Sequence, residues 1–246
     1  SGSEAPRARR NASAAPASPS PLGHYLSARV ARDEMDSGRA ARFYGVALSA
    51  NPENQALLHQ TMVLMLAEGR MEEAIGLAER RIAKRGDAAM ARLILAAAAI
   101  RGNDLATARE HLLQTKRKNY MSLLRPMLMG WVNAGDKQYD AAITSLGHLS
   151  SRKVFAPFRT YHTALISDFA GQKTPAKAAF EETLKGNARR ATRVSLNYGG
   201  FLSRNGQHDK AEELFDGILT RNPNNPVIKL ARENIQEGNA LPPPIT

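Results

Sequence analysis

Six alanines recur along the chain at a nearly constant interval. They are Ala40, Ala74, Ala108, Ala142, Ala176 and Ala211, with successive gaps of 34, 34, 34, 34 and 35 residues. A period of about 34 residues is typical of chains built from repeated helical hairpins, in which neighbouring hairpins bury each other's apolar faces. We call these residues the anchor alanines.

Two further positions keep the phase of the anchor alanines. Twelve residues before them stand Ala28, Met62, Ala96, Gly130, Ala164 and Gly199. Four residues after them stand Tyr44, Ala78, Leu112, Leu146, Phe180 and Phe215. The preceding set is Ala or Gly in five cases of six, which lets two helices approach closely. The following set lies one helical turn from the anchors, so we expect both on one buried face.

Residues 206–223 resemble the second helix of a tetratricopeptide repeat (TPR). Gly206, Ala211, Phe215 and Pro223 occur there in the order typical of that family. Similar but weaker matches recur, so the resemblance covers roughly residues 21–223. It implies an all-α fold, a right-handed superhelical solenoid of about six TPR hairpins. The segment after Asn225, with Pro226 in its first turn, is predicted to be a C-terminal capping helix.

The composition divides the chain into three predicted parts. Residues 1–20 are rich in Ala, Pro, Ser and Arg without apolar periodicity, so we predict a disordered tether. Residues 21–237 form the predicted solenoid, which we expect to be one elongated domain. Residues 238–246 begin with a glycine that stops the last helix, and their prolines predict an extended tail or linker.

The residue types argue against catalysis. The chain has no cysteine, which excludes disulfides, thiolate metal ligands and cysteine nucleophiles. It has neither a glycine-rich phosphate loop ending in Lys nor a His-Glu-x-x-His motif, and its six histidines are scattered. We therefore predict no enzymatic activity, no catalytic or metal-binding residues and no cofactor or small-molecule substrate.

The resemblance implies that the first helix of each hairpin lines a concave groove. Positions 18, 15 and 11 residues before each anchor are expected to face it. We call the following predicted residues the partner groove: Tyr25, Leu124, Met127, Trp131, Phe158, Tyr161, Leu165 and Phe169. Such a surface could accept an apolar helix or an extended peptide. Packing between hairpins is an alternative role for Trp131 and Phe158.

Basic residues cluster late in the second helices and in the links after them. We call this predicted set the basic ridge: Lys84, Arg85, Lys116, Arg117, Lys118, Arg152, Lys153, Arg189 and Arg190. The net charge is +11, so an anionic partner such as lipid headgroups, a polyanionic glycan or nucleic acid is one interpretation. The other is a solvated edge that balances the helix C-termini.

These patterns leave two hypotheses for function. The first is an adaptor that recruits another protein through the partner groove, and the second is a binder of anionic surfaces through the basic ridge. The sequence also resembles bacterial envelope TPR lipoproteins. That resemblance implies a cell-envelope partner, namely a protease, a cell-wall hydrolase or a pilus or secretion component. It further implies a periplasmic or outer-membrane-anchored location, with the cytoplasm as the alternative. The oligomeric state stays open.

Overall fold

The chain forms thirteen α-helices within the residues that the computed structural model describes, which are 20–84, 88–149, 153–185 and 191–244. They are α1 (Pro21–Asp33), α2 (Ser37–Ala50), α3 (Gln55–Ala67), α4 (Met71–Ile82), α5 (Ala89–Arg101), α6 (Leu105–Leu113), α7 (Met121–Gly135), α8 (Tyr139–Gly147), α9 (Ala156–Phe169), α10 (Lys173–Leu184), α11 (Thr192–Arg204), α12 (His208–Leu219) and α13 (Pro226–Gln236). A short 3₁₀ helix, Lys153–Phe155, precedes α9. These ranges contain no β-strand, so the predicted all-α class is confirmed.

The helices belong to two compact units. Unit 1, residues 1–86, contains α1 to α4, and unit 2, residues 87–246, contains α5 to α13. Within each unit the helices pack in consecutive pairs, which gives two hairpins in unit 1 and four in unit 2. The last helix, α13, packs on α12 and α11 as the predicted capping helix does. Continuity of one solenoid across residues 85–87 stays a prediction.

All three repeat-phased sets are buried. The six anchor alanines and the six residues four positions after them are at most 1% exposed, and the six residues twelve positions before them are buried as well. The helices of a hairpin meet at these positions. A Cβ atom on Gly199 would lie 2.2 Å from Cζ of Phe215, and one on Gly130 would lie 3.1 Å from Cδ2 of Leu146. A side chain at position 199 would therefore require the Phe215 ring to move, whereas one at position 130 would require only a slight shift of Leu146.

Each hairpin also turns in the same way, five residues before its anchor. The residues at this position have positive φ angles of 58° to 73°, and they are Met35, Gly69, Asn103, Lys137, Gly171 and Gly206. The following amide donates to a carbonyl five residues back, as from Arg70 to Met65 and from Gln207 to Leu202. This is the Schellman arrangement that satisfies the last carbonyls of a helix. Only three of the six residues are glycine, so the sequence alone marks half of these turns.

The two predicted flanking segments differ in what the structure describes. The tether at residues 1–20 lies outside the described residues except for Ser20, whose Oγ caps α1 by accepting from the amide of Gly23 at 3.1 Å. Gly238, at φ 81°, ends α13 as predicted. Residues 241–244 have no regular secondary structure, and they pack back onto α11 and α13. None of the described helices is long and apolar enough to cross a membrane.

Candidate functional site

Three first helices of unit 2 are joined by a row of aromatic and polar side chains. Trp131 on α7 donates from Nε1 to Nδ1 of His162 on α9 at 3.0 Å. Asn197 on α11 donates from Nδ2 to the Tyr161 hydroxyl at 2.5 Å. Burial lowers the pKa of His162, which favours the neutral ring that can accept the tryptophan hydrogen bond. We call this surface of α7, α9, α11 and α13 the first-helix face.

The structure divides the partner groove residues by exposure. On α9, Phe158 and Phe169 are 44% and 41% exposed, so both can reach a ligand. Trp131 and Tyr161 are partly buried and pack against the core of unit 2, which is the alternative role considered for Trp131. On α7, Leu124 and Met127 are also partly buried.

Two partner groove residues lie elsewhere. Leu165 is only 6% exposed because it packs into the core that contains Phe180 and Phe201, so its predicted place in the groove is corrected. Tyr25 belongs to unit 1, where it lines a cleft of about 420 Å³ and contacts Tyr44 edge-on, with ring centroids 6.0 Å apart. The structure thus brings together the members on α7 and α9.

The groove positions of the sixth hairpin contact the chain's own C-terminal segment. Counting 15 and 11 residues back from Ala211 gives Leu196 and Gly200 on α11. A Cβ atom on Gly200 would lie 3.0 Å from Nη1 of Arg204 and 3.5 Å from Cβ of Leu241. Leu196 lines a cleft of about 310 Å³ between α11, α13 and residues 241–244. The groove positions predicted for the sixth hairpin therefore lie on the surface that residues 241–244 cover.

Residues 241–244 are held on this surface mainly by hydrogen bonds to their main-chain atoms. The Leu241 amide donates to Oγ of Ser203 at 3.1 Å. Nη1 of Arg204 donates to the carbonyl oxygens of Leu241 and Pro242, each at 3.1 Å. The Leu241 side chain is 9% exposed and joins the core of unit 2. Main-chain hydrogen bonds combined with one buried apolar side chain are a common way to bind an extended peptide.

A charged pair from two first helices orients the arginine that binds these carbonyls. Nη2 of Arg204 on α11 lies 2.5 Å from Oδ2 of Asp168 on α9, and both side chains are largely buried. Burial raises the pKa of Asp168, while the Arg204 guanidinium opposes that shift. Breaking one partner of such a pair would leave a buried charge uncompensated.

Ser203, Arg204 and Asp168 are site residues that the sequence patterns did not predict. Ser203 and Arg204 lie about one helical turn beyond Gly200, and Asp168 immediately precedes Phe169. The groove register, continued by one turn on each first helix, would have found them. The sequence carries no comparable signal for the docking of residues 239–244, because an aperiodic Pro-rich segment does not specify its contact surface.

The basic ridge is only partly described. Four of its members, Arg85, Arg152, Arg189 and Arg190, lie outside the described residues, as does the side chain of Lys153. Lys84 in unit 1 forms an exposed ion pair with Glu53 at 2.6 Å. Lys116, Arg117 and Lys118 are exposed in the link between α6 and α7. The continuous ridge stays a prediction. Within the described ranges, no group of three His, Cys, Asp or Glu side chains is placed to hold a metal ion.

Several solved structures are similar to this chain, although no protein-family model and no curated protein matches it. A TPR protein from Parabacteroides merdae is 16% identical, with 88% of this chain and 85% of that chain covered and a TM-score of 0.65. PilW, a type IV pilus biogenesis factor, is 14% identical, with coverages of 85% and 97% and a TM-score of 0.65. YrrB, a TPR protein with an unusual peptide-binding site, is 11% identical, with coverages of 71% and 89% and a TM-score of 0.57.

These similarities define the class of fold. Together with the six hairpins and their shared turn, they show that the chain has the tetratricopeptide-repeat fold. The resemblance stated from residues 206–223 is confirmed at this level.

Proposed function

We propose that the chain is a non-catalytic scaffold that binds an extended segment of a partner protein on the first-helix face of unit 2. The observation that carries this proposal is the docking of residues 241–244, which occupy that face through main-chain hydrogen bonds to Ser203 and Arg204. Contacts of this kind suit any extended segment that offers a leucine-sized side chain at the same point. The peptide-binding site named for YrrB supports the same mode of use.

The exposed phenylalanines extend the proposed surface. Phe158, Tyr161 and Phe169 lie on one side of α9, since their spacing keeps them within about 80° of each other around the helix. Aromatic side chains that are half exposed are frequent anchors in protein interfaces. A partner segment that runs from α11 towards α9 would gain these contacts in addition to the main-chain ones.

The test uses the chain's own tail as a peptide. A chain that ends at Gly238 keeps all described helices and lacks the docked segment. A fluorescent peptide of residues 239–246 should bind this shortened chain saturably in an anisotropy titration. It should bind the full chain more weakly, because the tethered tail competes at an effective concentration in roughly the millimolar range. Equal binding to both chains, or none to either, would contradict the proposal.

Two glycine variants of the shortened chain serve as a matched pair. Gly200→Leu places a side chain where Leu241 lies, whereas Gly217→Leu, on α12, adds the same side chain where nothing lies within 4 Å. We expect the first to abolish peptide binding and the second to leave it unchanged. Circular dichroism should show that both variants keep their helices. Loss of binding in both would assign the interaction to a surface other than the first-helix face.

We also propose a bacterial cell-envelope protein as the partner and a periplasmic or outer-membrane-anchored location. The fold similarity to PilW supports this choice. The test is affinity capture from separate envelope and cytosolic fractions at low and high salt, read by mass spectrometry. An envelope protease, hydrolase or pilus component retained at high salt should be lost with Phe158→Ser plus Phe169→Ser and kept with Val46→Ser, an exposed position on α2. Capture of cytosolic proteins alone would reject the location.

A further inference from the structure

A second cleft in unit 2 lies away from the first-helix face. It has a volume of about 300 Å³ and is bounded by the link after α6, the first half of α7 and the end of α8. Arg117, Arg125 and His148 form its polar side. Leu113 and Met129 form its apolar side, and Leu113 is largely exposed. None of these residues belongs to the proposed peptide site.

In the part of the chain that the structure describes, the positive charge in this cleft has no acidic partner. None of the ion pairs among the described residues includes Arg117 or Arg125. Arg125 is half buried, and its Nη1 donates to the carbonyl oxygen of Thr115, which fixes the guanidinium at the cleft wall. Burial and the nearby charge of Arg117 lower the pKa of Arg125. The fold thus holds two guanidinium groups close enough to repel each other.

We propose that this cleft binds a phosphate group. Two neighbouring guanidiniums without a counter-charge are best neutralised by a dianion, and arginine donors match the oxygens of phosphate in paired geometry. Arg125 has one nitrogen engaged by Thr115, so its remaining donors are available to a ligand. Leu113 and Met129 would accommodate a short apolar portion beside the phosphate. Of the basic ridge residues that the structure describes, only Arg117 lines the cleft.

Two sources could supply this chemistry, namely a soluble phosphomonoester or the headgroup of an anionic phospholipid. Two experimental arms on the full chain separate them. The first is calorimetric titration with inorganic phosphate and with phenyl phosphate at constant ionic strength. The second is sedimentation with vesicles of phosphatidylcholine, with and without phosphatidic acid.

Single-charge variants distinguish a cleft from a diffuse electrostatic surface. Arg117→Gln, Lys116→Gln and Lys229→Gln each remove one positive charge from an exposed side chain, but only Arg117 lines the cleft. We expect Arg117→Gln to weaken phosphate binding at least about 10-fold, the loss typical of one charged hydrogen bond. The other two variants should change it less than about twofold. Arg117 is exposed and repels Arg125, so its replacement should not lower the thermal unfolding temperature without ligand.

Each outcome decides the proposal. Saturable phosphate binding that depends on Arg117 supports it. Stronger binding of phenyl phosphate than of inorganic phosphate would also support a role for Leu113 and Met129 in contacting the ligand. Arg117-dependent binding to phosphatidic acid vesicles alone would identify a phospholipid headgroup as the source of the phosphate. No saturable binding in either arm overturns the proposal. Equal losses for all three variants also overturn it, because they would show a general charge effect screened by salt.

Discussion

The second hairpin, α3–α4 in unit 1, and the sixth, α11–α12 in unit 2, share one backbone frame and differ in their interiors. Their turns have Gly69 at φ 72° and Gly206 at φ 73°. Both then bury an anchor alanine completely, Ala74 in one and Ala211 in the other. The repeat therefore reproduces the turn and the closest helix contact in both units.

The interiors fill the space between the two helices in opposite ways. In the sixth hairpin the first helix has Gly199 and the second has Phe215, whose ring lies against that glycine. At the equivalent positions of the second hairpin the first helix has Met62 and the second has Ala78, both fully buried. A small residue on one helix thus accompanies a large residue on the other. The comparison teaches that the repeat specifies where side chains meet and roughly how much volume they fill, rather than which helix supplies it.

The largest expected effect is in the sixth hairpin. Phe215→Ala removes a fully buried ring, so we expect a loss of about 3–5 kcal/mol in unfolding free energy. Ala78→Gly, at the equivalent position of the second hairpin, should cost only about 1 kcal/mol, mainly through lower helix propensity. Hydrogen exchange read separately in α3–α4 and α11–α12 measures both effects. Similar losses would show that the two interiors are filled alike.

The second hairpin should be sensitive at its first helix instead. Met62→Ala opens a cavity and should cost about 2–5 kcal/mol. If Met62 and Ala78 share one space, adding Ala78→Leu to Met62→Ala should recover part of the loss, although Ala78→Leu alone overpacks the site. A double-mutant cycle, followed by hydrogen exchange in α3–α4, measures this coupling. If the free-energy costs of Met62→Ala and Ala78→Leu simply add, the two residues do not fill one shared space. That result would contradict the exchange of volume between the helices.

The glycine of the sixth hairpin provides a graded test of helix approach. Gly199→Ala should destabilise α11–α12 by about 1–3 kcal/mol, because its Cβ would meet Phe215 at 2.2 Å. Gly130→Ala in the fourth hairpin should cost less, since the nearest atom is the flexible end of Leu146 at 3.1 Å. Fluorescence of Trp131, the only tryptophan, can follow urea unfolding of unit 2 in both variants. A reversed order would mean that Phe215 moves aside more readily than Leu146.

The sequence predicted the hairpin interiors because helix packing returns to the same register every 34 residues. Each residue of the three phased sets is buried, including Met62, which breaks the small-residue pattern. The pattern gives the direction of a side chain but not the extent of cover by neighbours, so it misplaced Leu165. Nor could it pair Arg117 with Arg125, because these residues come together only through the link between α6 and α7.

The turns between paired helices are the feature that residue type predicts least well. Met35 adopts φ 62° where Gly69 adopts 72°, although the left-handed region costs a side-chain-bearing residue roughly 1–2 kcal/mol. The tertiary packing of the first hairpin overrides that preference. Met35 is almost fully exposed, so its side chain contributes little contact in return.

The smallest expected effects test whether the shared turn is the same in both hairpins. Gly69→Ala and Gly206→Ala should each destabilise their own hairpin by about 1 kcal/mol, because a Cβ meets no neighbour within 4 Å at either site and only the left-handed backbone opposes it. Met35→Gly should stabilise α1–α2 by up to about 1 kcal/mol for the same reason. Gly76→Ala, inside α4 and equally uncrowded, is the control and should be stabilising. Hydrogen exchange in each hairpin measures all four. Unequal effects at Gly69 and Gly206 would mean that the two turns differ in strain as well as in their interiors.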